Sequence, residues 1–171
     1  MKILLTSFYD LGKQPKIIAE IADRYNNTEV HFDFVDFSVD NQNIDLDTYD
    51  VLGIYAPMHT ATILSIEYIK DKKLPDKVFT FGLYGSVLED FNPLIKYIKD
   101  IESEELTSFL KLNENQKFSL KDNIPNRQIF PDISNYAHLV DGSNNLIAGS
   151  VETTYGCLLY TSDAADDYRS V

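Results

Sequence analysis

Three short loops hold the residues of this sequence whose types could do chemistry. The stretch FYDLGKQP contains a glycine that lets a backbone approach a ligand closely, and a lysine that adds a positive charge. The stretch APMHTAT contains a histidine, whose imidazole can ligate a metal or make a hydrogen bond. In GLYGS, two glycines flank Leu83-Tyr84, which would allow close approach to a flat ligand. The candidate cofactor-binding residues are Tyr9, Asp10, Gly12, Lys13, Met58, His59, Thr60, Tyr84 and Gly85.

Each loop also has an explanation that needs no ligand. Gly12 suits a left-handed turn, with the following lysine in solvent. His59 could cap or pack at the start of a helix, and Thr60 or Thr62 could cap that helix instead. The glycines of the third loop could serve only a tight turn. The residue types leave these alternatives open.

Several kinds of enzyme site are absent from the sequence. Neither a G-x-x-x-x-G-K-[ST] nor a G-x-G-x-x-G phosphate loop occurs. The hydroxyl, thiol and imidazole groups that lie near one another have no catalytic-triad motif around them. The paired acids of a phosphate-accepting receiver domain are missing as well. We therefore assign no catalytic residue and expect no self-contained enzyme in residues 1–112.

The composition favours small-molecule or protein partners. The formal net charge of −12 argues against nucleic-acid binding, because that binding depends on Lys and Arg side chains. The single cysteine excludes an internal disulfide. No apolar run is long enough to span a bilayer, and the N-terminal run ILLTSF is too short for a signal-peptide core. We expect a cytoplasmic protein that binds a small-molecule cofactor, with no nucleic acid and no membrane as partner.

Apolar runs alternate with helical periodicity along the first 112 residues. The runs predict four strands, at Lys2–Phe8, Val30–Phe37, Val51–Ala56 and Val78–Gly85. Helical spacing predicts helices from Pro15 to Tyr25 and from Ala61 to Lys70. Leu94–Ile101 and Glu104–Leu112 form either a fifth strand and a closing helix, which we favour, or one helix across both.

This alternation predicts an α/β domain with a doubly wound parallel sheet of flavodoxin-like type over residues 1–112. Such sheets bind ligands beyond the carboxyl ends of their strands, which is where the three candidate loops fall. Residues 113–146 read as a linker that packs on something larger. Its apolar anchors are Phe118, Ile129, Phe130, Tyr136 and Leu139. A new strand begins near Ile147, and we expect Ile147–Thr154 to be poorly anchored without strand neighbours.

Five stretches in this order carry a resemblance to a known family: KILLTSFYDLGKQP, YDVLGIYAPMHTAT, FTFGLYG, PNRQIFPDISNYAHL and GSVETTYGC. Over residues 1–157 the chain resembles radical S-adenosylmethionine proteins with an N-terminal cobalamin-binding (B12-binding) domain. It is most similar to the subfamily named for a CUAEP or CCAEP tail. The resemblance implies that residues 147–156 are the first strand of a catalytic barrel, the rest of which would be a partner missing from this chain.

In that family, this strand leads into C-x-x-x-C-x-x-C, whose thiolates hold an iron-sulfur cluster that binds S-adenosylmethionine. Cys157 matches the first cysteine and is the one metal-ligand candidate that the resemblance gives. Tyr160-Thr161 and Ala164-Ala165 stand near the places of the other two, so this chain cannot complete the cluster. The cluster and S-adenosylmethionine would belong to the full-length parent only.

The resemblance to cobalamin-binding domains also has a gap. The family often carries D-x-H-x-x-G after the first strand, and its histidine ligates the cobalt. Counting from Asp10, this chain has Gly12 in the histidine position and Pro15 in the final glycine position. Cobalamin would therefore bind without the usual histidine ligand. A degenerate domain that binds no cofactor is the alternative.

The last residues have an explanation outside protein chemistry. CLLYTSDAAD back-translates to TGT CTC TTA TAC ACA TCT GAC GCT GCC GAC, which is similar to a transposon-end sequencing adapter. We therefore expect residues 157–171 to be adapter read-through, with a genuine acidic tail as the alternative. Cys157 could be native or adapter-encoded.

These observations predict the cofactor-binding-like N-terminal fragment of a radical S-adenosylmethionine enzyme with an unknown substrate, the fragment itself being non-catalytic. A stand-alone flavodoxin-like module that binds a small ligand or regulates a partner is the main alternative. An inert docking domain without a ligand is a third. A complete stand-alone module would be expected to end near Leu112, without a linker and a further strand.

Overall fold

The computed structural model describes residues 1–25, 30–40, 43–101, 104–112 and 127–147. Five parallel strands form one sheet in the spatial order β2-β1-β3-β4-β5. The strands are β1 (Lys2–Ser7), β2 (His31–Asp36), β3 (Val51–Tyr55), β4 (Lys77–Phe81) and β5 (Ile95–Tyr97). The helices are α1 (Lys16–Arg24), α2 (His59–Ile69), α3 (Gly85–Phe91) and α4 (Glu104–Leu110).

Helices cover both faces of the sheet, which explains the almost unbroken apolar runs of its central strands. On one face, α1 and α4 bury side chains such as Ile18 and Leu106 against Ile3, Leu5 and Phe79. On the other face, α2 and α3 contribute side chains to a second core with Leu4, Leu52 and Val78. The chain is thus an α/β protein with a parallel sheet flanked by helices, consistent with a flavodoxin-like fold.

The structure confirms the four predicted strands and the two predicted helices, with shifts at their ends. The fourth strand stops at Phe81, and Gly85, which we predicted to be its last residue, begins α3 instead. The favoured choice for the fifth element is also confirmed. Ile95–Tyr97 pairs with β4 as a strand, and α4 follows separately.

Residues 127–147 continue beyond the sheet. Short 3-10 turns occupy Arg127–Ile129 and Ile133–Asn135, and an antiparallel hairpin follows, with β6 (His138–Asp141) and β7 (Asn144–Ile147). Among the predicted anchors, Phe130 and Tyr136 are buried and Ile129 is half-buried, whereas Leu139 is exposed. Phe118 and residues 148–156 lie outside the described residues. Ile147, the first residue of the predicted barrel strand, ends β7 and is exposed.

Among the described residues, no helix is both long enough and apolar enough to cross a membrane.

Candidate functional site

The nine candidate residues all lie at the edge of the sheet where its strands have their carboxyl ends, which we call the carboxyl edge. The strand order changes direction between β1 and β3, because β2 lies on one side of β1 and the chain continues on the other. A parallel sheet opens a crevice at such a switch point, and ligands of doubly wound proteins bind there. The candidates form two groups, one on the loops after β3 and β4 and one on the loop after β1.

The loops after β3 and β4 are held together by their backbones. Ala56 N donates to Phe81 O at 2.8 Å, and Tyr84 N donates to Ala56 O at 3.0 Å. Gly82 has a φ of +96°, and a Cβ at this position would lie 2.7 Å from Ala56 O. A side chain would therefore be both strained and obstructed there, so the third loop requires glycine at this position. The two loops form one fixed wall of the carboxyl edge.

His59 and Tyr84 meet on this wall. Their ring centroids are 6.3 Å apart in an edge-on arrangement. His59 is exposed and is the first residue of α2, while Tyr84 and Met58 are half-buried. The N-cap residue of α2 is Met58, without a side-chain cap, and the Thr62 hydroxyl donates to the Met58 carbonyl at 3.2 Å. The suggestion that Thr60 or Thr62 caps this helix is therefore wrong.

The loop after β1 turns tightly and is contacted by Ala137, a residue distant in sequence. Lys13 N donates to Asp10 O at 3.0 Å, and Leu11 and Gly12 both have positive φ, of 52° and 71°. Ala137 N donates to Gly12 O at 2.6 Å, and a Cβ on Gly12 would lie 2.9 Å from Ala137 Cβ. The close approach that the sequence suggested for a ligand at Gly12 is made here by Ala137.

We call residues 127–137 the strap, because they pack across the carboxyl ends of β1 and β2. The Phe130 ring lies edge-on to Phe34 of β2, with 5.1 Å between centroids. Gln14 links to the strap through its amide, which donates to Pro131 O at 3.4 Å and accepts from Arg127 Nη1 at 3.0 Å. The strap thus forms the second wall of the carboxyl edge.

Beneath the strap lies a polar group that sequence reasoning did not single out. Asp36, the last residue of β2, is only 1% exposed, and its Oδ1 accepts from Ser38 N at 3.0 Å and Ser38 Oγ at 2.6 Å. Burial raises the pKa of Asp36, and the Ser38 hydrogen bonds together with the Tyr136 hydroxyl offset this only in part. Burial and the neighbouring Asp36 carboxylate also raise the pKa of Tyr136. In the sequence, the position of Asp36 near the end of a predicted strand is the signal that could have identified it as a site residue.

Two hydroxyl groups near Asp36 are buried without a well-aligned hydrogen bond among the described residues. Ser7 is paired with Asp36 in the β1–β2 register and is fully buried. Neither Ser7 Oγ nor the Tyr136 hydroxyl makes a hydrogen bond of ordinary geometry with the part of the chain that the structure describes. Buried polar atoms without a partner are uncommon in folded proteins, so this corner of the carboxyl edge is unusual.

No group of three or more His, Cys, Asp or Glu side chains that could hold a metal occurs within the described ranges. Cys157, the metal ligand that the resemblance suggested, lies outside them. Comparison of the chain with protein-family models, with curated proteins and with solved structures found no match.

Proposed function

We propose that this chain is the N-terminal cofactor-binding-like part of a radical S-adenosylmethionine enzyme, and that it is not catalytic by itself. The observation that carries the proposal is the position of the strap. The strap lies at the carboxyl edge, where a doubly wound sheet holds its ligand. A domain that follows the strap would start beside that ligand.

The surface of the carboxyl edge suits a large flat ligand. Leu11 and Leu83, on the loops after β1 and β4, are 61% and 71% exposed. Exposed apolar side chains that border polar groups are typical of binding sites. On the same edge, His59 and Tyr84 offer an imidazole and an aromatic face. These groups would orient the ligand by hydrogen bonding and ring contact.

Histidine-ligated cobalamin does not fit the loop after β1. That ligand would have to stand at Gly12, where Ala137 fills the space a side chain would enter. A cobalamin held through its corrin face and side groups, without a nitrogen ligand from this loop, remains compatible with the residues present. Bound in that way, it would supply a metal centre for group transfer to the following domain.

Titration of the chain with hydroxocobalamin, with flavin mononucleotide as comparator, tests the cofactor-binding half of the proposal. We expect saturable binding of one cobalamin per chain, detected by equilibrium dialysis, and no flavin binding, because the chain has no phosphate loop. His59→Ala with Tyr84→Ala should weaken binding at least tenfold, whereas His31→Ala, at the opposite edge, should not. No binding of either cofactor would overturn this half and favour an inert docking domain.

Sequencing the gene beyond codon 156, from a library prepared without transposase, tests the other half. We expect the reading frame to continue into C-x-x-x-C-x-x-C. If it instead encodes LLYTSDAADDYRSV and stops, the parent enzyme is refuted and a stand-alone ligand-binding module becomes the better account.

A further inference from the structure

We infer that Ser7, Asp36 and Tyr136 form a binding site for the vicinal hydroxyls of a neutral nucleoside, and that the strap covers it. This site lies beside the β1–β2 end of the carboxyl edge, away from the His59–Tyr84 wall. It does not depend on the parent enzyme or on cobalamin. The nucleoside-site inference and the proposed function can therefore fail independently.

The first support is position. Ser7 and Asp36 end neighbouring parallel strands and are paired in register, so their side chains leave the same face of the sheet. In doubly wound sheets that bind nucleotides, an acidic residue beyond the glycine-containing first loop accepts hydrogen bonds from the ribose hydroxyls. Asp36 stands at the end of the second strand, next to the loop that contains Gly12. The placement matches ribose recognition.

The second support is unsatisfied hydrogen-bonding capacity. Ser7 Oγ is buried and unpartnered within the described part of the chain, and the Tyr136 hydroxyl faces the Asp36 carboxylate without a well-aligned hydrogen bond. Burying such a group without a good partner destabilises the fold, because the hydrogen bonds it loses to water are not replaced. A diol presents two donors and two acceptors on adjacent carbons, which can serve a carboxylate and two hydroxyls together. A ligand of this type would give Ser7 Oγ a partner and would take the place of the Tyr136 hydroxyl at the Asp36 carboxylate.

The third support is charge. Asp36 forms no ion pair with a Lys or Arg among the described residues, so its carboxylate is not neutralised by a basic side chain. The formal net charge of −12 and the missing phosphate loop disfavour a phosphorylated ligand. A neutral nucleoside provides the hydroxyls without bringing a phosphate to this surface.

The strap controls the access of a ligand to Asp36. Tyr136 is 6% exposed and lies over Asp36, so a ligand must displace the phenol from the carboxylate. Polar ties between the strap and the loop after β1 include the Ala137–Gly12 hydrogen bond and the two contacts of Gln14. Because opening the strap costs free energy, weakening one tie should raise the apparent affinity.

Calorimetric titration of the full chain with adenosine and with 2′-deoxyadenosine tests the inference. The two probes differ in one hydroxyl, and we expect adenosine to bind at least tenfold more tightly. Asp36→Asn should weaken adenosine binding at least tenfold. Asp33→Asn, on the same strand at the other end, is the matched control and should leave binding unchanged. Ala137→Pro removes the N–H that holds the strap and should increase adenosine affinity several-fold.

Equal affinity for the two nucleosides would overturn the inference, because the protein would then not recognise the diol. So would the absence of adenosine binding at millimolar concentration to both the wild-type chain and Ala137→Pro. The comparison of the two nucleosides needs no variant, so a variant that fails to fold does not weaken the test.

Discussion

Two aspartates on β2, three residues apart, meet opposite environments. Asp33, toward the amino end of the strand, accepts from the Tyr49 hydroxyl at 2.8 Å and contacts Lys2 at 3.2 Å and His31 at 3.2 Å. Burial alone would raise its pKa, but these partners together lower it. Asp36, at the carboxyl end, accepts from Ser38 N and Ser38 Oγ and faces the Tyr136 hydroxyl, and burial raises its pKa.

The difference lies between an edge whose polar groups pair with one another and the edge that we propose binds a ligand. At the amino edge the polar groups satisfy one another, and Lys2 also lies 4.4 Å from the centre of the Tyr49 ring. At the carboxyl edge, Ser7 Oγ has no partner among the described residues, the Tyr136 hydroxyl has no well-aligned hydrogen bond there, and the His59 imidazole is exposed. Groups that a fold leaves unsatisfied at its switch point are the ones available to a ligand.

The largest expected effect comes from breaking the wall of the carboxyl edge. Gly82→Ala should lower the free energy of unfolding by about 3 kcal/mol, from left-handed strain together with the clash at Ala56 O. Gly142→Ala is the matched control, since Gly142 also has positive φ but no atom within 4 Å of its Cβ position. Its cost should be about 1 kcal/mol. Urea denaturation measures both, and equal losses would refute the clash.

Removing one hydroxyl from the amino edge should have a smaller effect. Tyr49→Phe deletes the hydrogen bond to Asp33 and should cost about 1 kcal/mol in denaturant unfolding. Burial and the Asp33 contact raise the pKa of Tyr49 to about 12, so this loss should be constant through neutral pH. Tyr84→Phe, at the carboxyl edge, serves as control and should be near neutral. A larger loss for Tyr84→Phe would reverse the assignment of the two edges.

The two aspartates should also change the free energy of unfolding with pH in opposite directions. The folded-state pKa of Asp33 is below 3.8, so its contribution is present above pH 3.8 and is lost as pH falls through the lower value. The folded-state pKa of Asp36 is above 3.8, so its contribution is present below pH 3.8 and is lost as pH rises through the higher value.

Unfolding free energies measured across acidic pH should therefore change in opposite ways in two variants. Asp33→Asn should remove part of the loss of stability at low pH, and Asp36→Asn should remove part of the loss on the alkaline side of pH 3.8. Changes of the same sign in both variants would show that the two carboxylates do not differ as described.

The smallest effect on stability should come from His59. Its side chain is exposed, so His59→Ala should change the free energy of unfolding by less than about 0.5 kcal/mol. The same variant should still weaken cobalamin binding several-fold in equilibrium dialysis. A large loss of stability without a change in binding would assign His59 a structural role.

The sequence predicts the sheet better than it predicts the site. Apolar runs such as Val51–Ala56 mark strands because both faces of the sheet are covered, and this burial leaves a local signal. The end of β4 was misplaced because Gly82 and Gly85 suit a strand exit or a helix start equally well. Only the backbone contact with Ala56 distinguishes these choices.

The two ends of β2 show why the rest could not be predicted. Asp33 and Asp36 lie three residues apart in the stretch VHFDFVDF, so strand alternation places them on opposite faces of the sheet, but it does not indicate which partners either carboxylate has. Their difference comes from Tyr49 on one side and Tyr136 on the other, and Tyr136 is distant in sequence. The contact between Gly12 and Ala137 is of the same kind. Such long-range contacts decide which polar groups remain free for a ligand.

The most direct test of the carboxyl edge as the binding edge is an NMR titration of the ¹⁵N-labelled chain with diamagnetic hydroxocobalamin. The account predicts amide shift changes at Tyr9–Lys13, Met58–Thr60 and Tyr84-Gly85, with Lys2, His31 and Tyr49 unchanged. Shift changes confined to the amino edge, or none at saturating cofactor, would contradict it.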